Sequence, residues 1–151
     1  MTALVPLVVL VPLLGAAVTL ALGFRPQAQR IVAIVALVIE LGLGIALLIA
    51  VDAGGPLAME LGGWSAPFGI VLVVDRLSAV MVLVSALVLL AVLLFSVGQG
   101  IADGDEETPV SIYNPTYLIL TTGVMVAFVS GDLFNLYVGF EILLVASYVL
   151  I

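Results

Sequence analysis

Five long apolar runs separated by short polar breaks set the layout of this 151-residue chain. Ala3 to Gly23 holds twenty-one positions without a charge, and Pro6 and Pro12 are tolerated inside a membrane helix. Ile31 to Val51 is a second run with Glu40 at its centre. Leu77 to Val97 is a third, with Ser78, Ser85 and Ser96 as its polar interruptions. Asn114 to Ser130 is a shorter fourth run, with Pro115 suited to a first helical turn. The fifth, Gly131 to Ile151, reads GDLFNLYVGFEILLVASYVLI. About 20 apolar residues cross a bilayer as a helix, so the pattern predicts five spanning helices. Ser130-Gly131-Asp132 must reverse the chain, because one helix through the last two runs would be far too long.

The breaks have characters of their own. Phe24 to Arg30 reads as a loop carrying two of the three cations, Arg25 and Arg30, which places it in the cytoplasm and the N-terminus outside. From Asp52 to Val74 glycines and prolines accumulate. Leu57–Leu61 and Ile70–Val74 flank the turn GGWSAPFG and are predicted to pair as a small outer-face hairpin. Trp64 and Phe68 would lie at headgroup level, and Asp75–Arg76 would mark a membrane boundary with Arg76 snorkelling outward. Gly98 to Tyr113 carries Asp103, Asp105, Glu106 and Glu107 but lacks calcium-loop spacing, so it reads as a solvated inner loop.

Composition agrees with this layout. Hydrophobic residues make up 65% and charged residues 9%, and the mean hydropathy is +1.47, values of an integral membrane protein. With no cysteine there is no disulfide or thiolate metal site, and no metal-ligand cluster, phosphate loop or nucleophile triad stands in the sequence. No cofactor is therefore expected. The net charge of −7 makes nucleic acid an unfit partner. No basic region precedes the first run, so it reads as a span rather than a signal peptide.

Candidate chemistry sits in the fifth run. Glu141 lies roughly 13 Å along the helix from Asp132, close to the bilayer midplane. A carboxylate there costs about 2.5–3.5 kcal/mol on insertion scales, so it is protonated or faces a partner or a wet cavity. Tyr137 and Tyr148 stand on the same helical stripe, at i−4 and i+7, and supply hydroxyls for hydrogen-bond support. Asp132, at the helix start, reads as an N-cap. Glu40 rivals Glu141 in depth. Gly42 and Gly44 beside it point to close helix packing, and no hydroxyl lies at i±3 or i±4, which favours a packing or assembly role or a local hydrogen bond.

The fifth run also resembles the first conserved helix motif of the antiporter-like proton-translocating membrane subunits. Mrp-type cation/proton antiporters, respiratory complex I and membrane-bound hydrogenases share that family. LGGWSAPFGIVLVVDRLSA, Leu61 to Ala79, narrows the resemblance to the D-type subunit of the Mrp antiporter. The two blocks together cover about a quarter of the chain.

The resemblance implies an all-α integral membrane protein, the N-terminal part of a larger antiporter-like bundle. Residues 1–130 would hold helices 1–4, with the outer hairpin at 52–74 and the acidic inner loop at 98–113. Residues 131–151 would begin the proton-translocating core. It implies a non-enzymatic subunit of a hetero-oligomeric sodium/proton antiporter in the plasma membrane, with Glu141 as proton relay and the hairpin in contact with neighbouring subunits. In the resembling families, later helices carry lysines that pair with this glutamate. The present sequence contains no lysine, so the chain reads as a fragment of a longer subunit. Two alternatives stand beside this reading. One is a proton-pumping subunit of an oxidoreductase of the complex I or hydrogenase type. The other is a non-transporting scaffold in which Glu141 and Glu40 bind helices together.

Overall fold

The structure, a computed structural model, describes residues 2–23, 25–64, 68–99 and 112–151. The sequence-predicted acidic loop, apart from its ends, and Ser65 to Pro67 of the hairpin turn lie outside the described residues. Among the described residues five α-helices are present: α1 (Leu4–Ala21), α2 (Pro26–Gly54), α3 (Arg76–Gly98), α4 (Tyr113–Val129) and α5 (Leu133–Leu150). Between α2 and α3 strands β1 (Leu57–Glu60) and β2 (Val71–Val74) pair antiparallel, Leu57 opposite Val74 and Glu60 opposite Val71. Four of these helices are long and apolar enough to cross a membrane, and α4 is a shorter apolar helix. This is a multi-pass membrane protein.

One boundary departs from the sequence reading. Residues 26–30, expected in a loop, form the first turn and a half of α2, with Pro26 at its start. Proline suits a first helical turn because its missing N–H has no intrahelical partner to lose there. At 29 residues α2 is roughly 43 Å long, more than the ~30 Å hydrocarbon thickness. That length leaves room for polar ends, and residues 26–30 keep their polar character without being a loop. At the far end Asp52 stays helical and pairs with Arg76 at 2.6 Å, both side chains largely exposed.

Small residues bring the helices together. A Cβ on Gly44 would lie 3.0 Å from the Leu83 backbone of α3, and one on Gly15 would lie 3.2 Å from Ala36 and 3.1 Å from Leu118. Gly42, by contrast, faces open space, so only one of the two glycines beside Glu40 serves packing. Glycines also bring the backbones of α4 and α5 close together. A Cβ on Gly123 would stand 2.8 Å from the Leu143 amide nitrogen, and one on Gly139 would stand 3.0 Å from that of Ala127. Where lipid is as apolar as leucine, such close backbone contact is what holds helices.

Buried side chains gather in two clusters. One, at the hairpin end, joins Val5, Val8, Leu47, Val51, Val82 and Met125 with Leu72 and Val74 of the strand. The other, at the opposite end, joins Ala16, Ala33, Leu37, Leu93, Tyr117 and Leu118. The hairpin turns through a 3-10 segment, Leu61–Gly63, where Gly62 and Gly63 have φ of +74° and +72°. Residues with a Cβ rarely adopt that left-handed backbone, so these two glycines are what the turn requires.

Candidate functional site

α5 carries the acid singled out by the sequence. Asp132 caps it: its Oδ1 accepts the Asn135 amide at 2.7 Å, as the N-cap reading expected. Its Oδ2 reaches further and accepts the Val71 amide of β2 at 3.3 Å. The neighbouring Gly131 amide donates to the Val71 carbonyl at 2.7 Å, and Ser130 bridges to Leu72. Asn135 Nδ2 donates to the Ser130 hydroxyl at 3.0 Å, which in turn donates to the Val126 carbonyl. The turn between α4 and α5 is thereby stitched to the hairpin. No pattern in the sequence pointed to this junction, because a three-residue turn has no strand periodicity.

Above this anchor, Tyr137 and Glu141 stand one turn apart on α5, near enough for the carboxylate to act on the tyrosine hydroxyl. Tyr148 lies on the same stripe two turns further along. All three side chains are on the outer face of α5 within this chain: Tyr137 is 59% and Tyr148 77% exposed, and Glu141 is also exposed. Leu133, Phe134, Phe140, Leu144 and Val145 are exposed with them. The buried face of α5, with Asn135, Gly139 and Ala146, is seated on α4. The stripe holding Glu141 therefore points away from α1–α4, into whatever adjoins α5 on that side. Among the described residues no group of three or more acids, histidines or cysteines is placed to hold a metal ion.

Glu40 behaves differently. It is fully buried among the helices, and neither carboxyl oxygen has a hydrogen-bond partner in the structure. The local hydrogen bond anticipated for it is not formed. Complete burial was not legible from spacing, since both acids lie mid-helix in uniformly apolar runs. At the start of α3 Asp75 caps the helix by accepting the Ser78 amide at 2.7 Å, and that bond holds its carboxyl below the usual carboxylate range. Arg76, largely exposed, pairs with Asp52. Trp64 and Phe68 are largely exposed near the hairpin turn.

The comparisons with known proteins cover the whole chain. No family model matches it. A Staphylococcus epidermidis protein named as a putative antiporter subunit, mnhD2, is 38% identical over 152 residues, 100% of this chain and 30% of that protein. The D subunit of an Na(+)/H(+) antiporter of Alkalihalophilus pseudofirmus is 38% identical over 151 residues, with the same shares. Among solved structures, the Mrp complex from Dietzia sp. DQ12-45-1b superposes with a TM-score of 0.87 and 32% identity, over 98% of this chain and 27% of that one. An archaeal membrane-bound sulfane sulfur reductase superposes with a TM-score of 0.83 at 24% identity, over 99% of this chain and 30% of that one, which shows a shared fold alone. The chain thus spans about 30% of the length of the curated relatives it matches.

Proposed function

From the premise that this chain belongs to the D-type subunit family of Mrp antiporters, we propose that it serves a monovalent cation/proton antiporter as a membrane subunit. The observation that carries this reading is the 38% identity to the D subunit of an Na(+)/H(+) antiporter along the entire chain. In this reading the chain assembles with other subunits in the plasma membrane, its N-terminus outside, and it transports rather than catalyses. Residues 1–130 form the supporting helices and 131–151 the part that carries the proton path.

Glu141 is the proton-carrying residue in this proposal. Its exposure on an apolar face of α5 supports the role. An acid there stays out of contact with α1–α4 and is free to meet a charged partner on an adjoining helix. A cation approaching the carboxylate stabilises its ionised form, and withdrawal of that cation leaves a desolvated acid that takes up a proton. Tyr137, one turn from the carboxylate, serves as its hydrogen-bond donor in this reading, and Tyr148 lies further along the same stripe. The Asp132 cap and its link to Val71 fix the position of α5 along its axis.

The proposal is tested in everted membrane vesicles containing the assembled complex, with the pH gradient set by an independent proton pump. Sodium addition should collapse part of the gradient without any electron donor for the complex. Proton movement that required a donor and ignored sodium would instead make the chain part of a redox machine.

A further inference from the structure

We propose that Glu40 is a second intramembrane proton-binding site, one that holds its proton as a neutral carboxylic acid inside the α1–α4 bundle. Helix levels locate it. Gly15, Ala36 and Leu118 meet at one height, and Gly44 meets Leu83 at another. One turn from the first contact and one turn from the second, Glu40 shares a layer with Pro12 of α1, Thr121 and Thr122 of α4, and the stretch of α3 around Ala86. Glu40, Pro12, Thr121 and Thr122 are all buried at this level. Glu40, Thr121 and Thr122 thus put buried polar groups near the level where Leu89 of α3 packs against both apolar clusters.

The hydroxyls of α4 at this level are already committed as donors, while Ser85 beside Ala86 on α3 is half-buried and makes no hydrogen bond among the described residues. Thr121 and Thr122 spend their hydroxyl hydrogens on the carbonyls of Tyr117 and Leu118, both at 2.9 Å, which leaves their oxygen lone pairs. Tyr117 likewise spends its hydroxyl hydrogen on the Leu89 carbonyl at 2.7 Å. Pro12 has no N–H to give the Val8 carbonyl one turn before it. A carboxylate can only accept hydrogen bonds, whereas a carboxylic acid also donates one. Surroundings of this kind therefore suit the protonated acid. No charge among the described residues nearby opposes that assignment. α1 and α4 contain no ionised side chain, and α3 contributes Arg76 at its hairpin end, paired with Asp52. On α2 itself Arg30 and Asp52 stand ten and twelve residues away, roughly 15 and 18 Å along the axis.

The test is infrared difference spectroscopy of the assembled complex in a Glu141→Gln background, which silences the other mid-helix acid of this chain, with the Glu40→Gln spectrum subtracted to remove acids elsewhere in the complex. The difference should contain a carboxylic-acid C=O band at neutral pH, insensitive to sodium, that is present with Glu40 intact and missing in Glu40→Gln. If Glu40→Gln does not assemble, Glu40→Asp should move the band to a new frequency instead of removing it. Absence of the band at neutral pH, its survival in Glu40→Gln, or an unmoved band in Glu40→Asp would overturn the assignment. Its loss on adding sodium at constant pH would do the same, since Glu40 would then be a carboxylate holding a metal cation.

Discussion

Replacing Gly123 by alanine should push α5 away from α4. The new Cβ would lie 2.8 Å from the Leu143 nitrogen and 3.1 Å from both Leu143 Cα and the Gly139 oxygen. Restoring ordinary contact, 3.4 Å or more, needs a separation of about 0.6 Å against backbone atoms that cannot rotate aside. Overpacking of this size costs about 1–3 kcal/mol. Gly139→Ala should behave similarly, its Cβ meeting the Ala127 nitrogen and Val126 Cγ1 at 3.0 Å. Once one alanine has parted the helices, the second meets less resistance, so the pair should cost less than the sum by about 0.5 kcal/mol or more. Gly42→Ala is the control. It faces open space within this chain and should be neutral or gain up to about 1 kcal/mol from helix propensity. Thermal unfolding of the assembled protein in detergent, followed by circular dichroism, reads all four variants. Equal stability of Gly42→Ala and Gly123→Ala would refute the close-packing argument.

Three further outcomes follow from the geometry. Asp132→Ala removes both the α5 cap and the link to Val71 and should cost about 1–2 kcal/mol, whereas Asp132→Asn keeps an acceptor and should cost less; the same melts distinguish them. The Asp75 cap should show a pH dependence: because the folded carboxyl titrates below its usual range, its stabilisation is complete above that range and lost as pH falls through the lowered value, so Asp75→Ala should narrow its deficit only in acid. Labelling of single cysteines in this cysteine-free chain should find Gln27→Cys reactive from the cytoplasm and Trp64→Cys from outside; both reacting from one side would break the proposed topology.

The spans, the hairpin and the Asp132 cap were legible because each has a local cause. Length and apolarity make a membrane helix, glycine at positive φ makes the turn, and an acid before an apolar run makes a cap. Which of the two mid-helix acids is buried was not. Apolar residues surround every span almost evenly: Leu10, Leu14, Leu87 and Val145 are exposed, while Leu37 and Leu93 are buried. Hydrophobic periodicity therefore names no inner face, and small residues such as Gly15, Ala36, Gly44 and Gly139 mark it instead. By that criterion Ala36, Glu40 and Gly44 form one stripe at i, i+4 and i+8, and that stripe is the buried one. The junction of Ser130 and Gly131 with β2 joins segments about sixty residues apart, and no local signal encodes it.

The most direct test of Glu141 as the proton carrier is antiport by Glu141→Gln in the full-length, assembled complex, beside Glu141→Asp and Glu40→Gln. Glutamine keeps the shape but cannot ionise, so antiport should vanish while assembly stays near normal. Aspartate keeps the charge one methylene short and should leave reduced activity. Glu40→Gln mimics the neutral acid and should retain most transport. Tyr137→Phe and Tyr148→Phe should cost less than Glu141→Gln, since each removes at most one hydrogen bond of about 1 kcal/mol. Sodium-driven collapse of a pH gradient is the readout. Normal antiport in Glu141→Gln, or equal losses in Glu141→Gln and Glu40→Gln, would contradict the account.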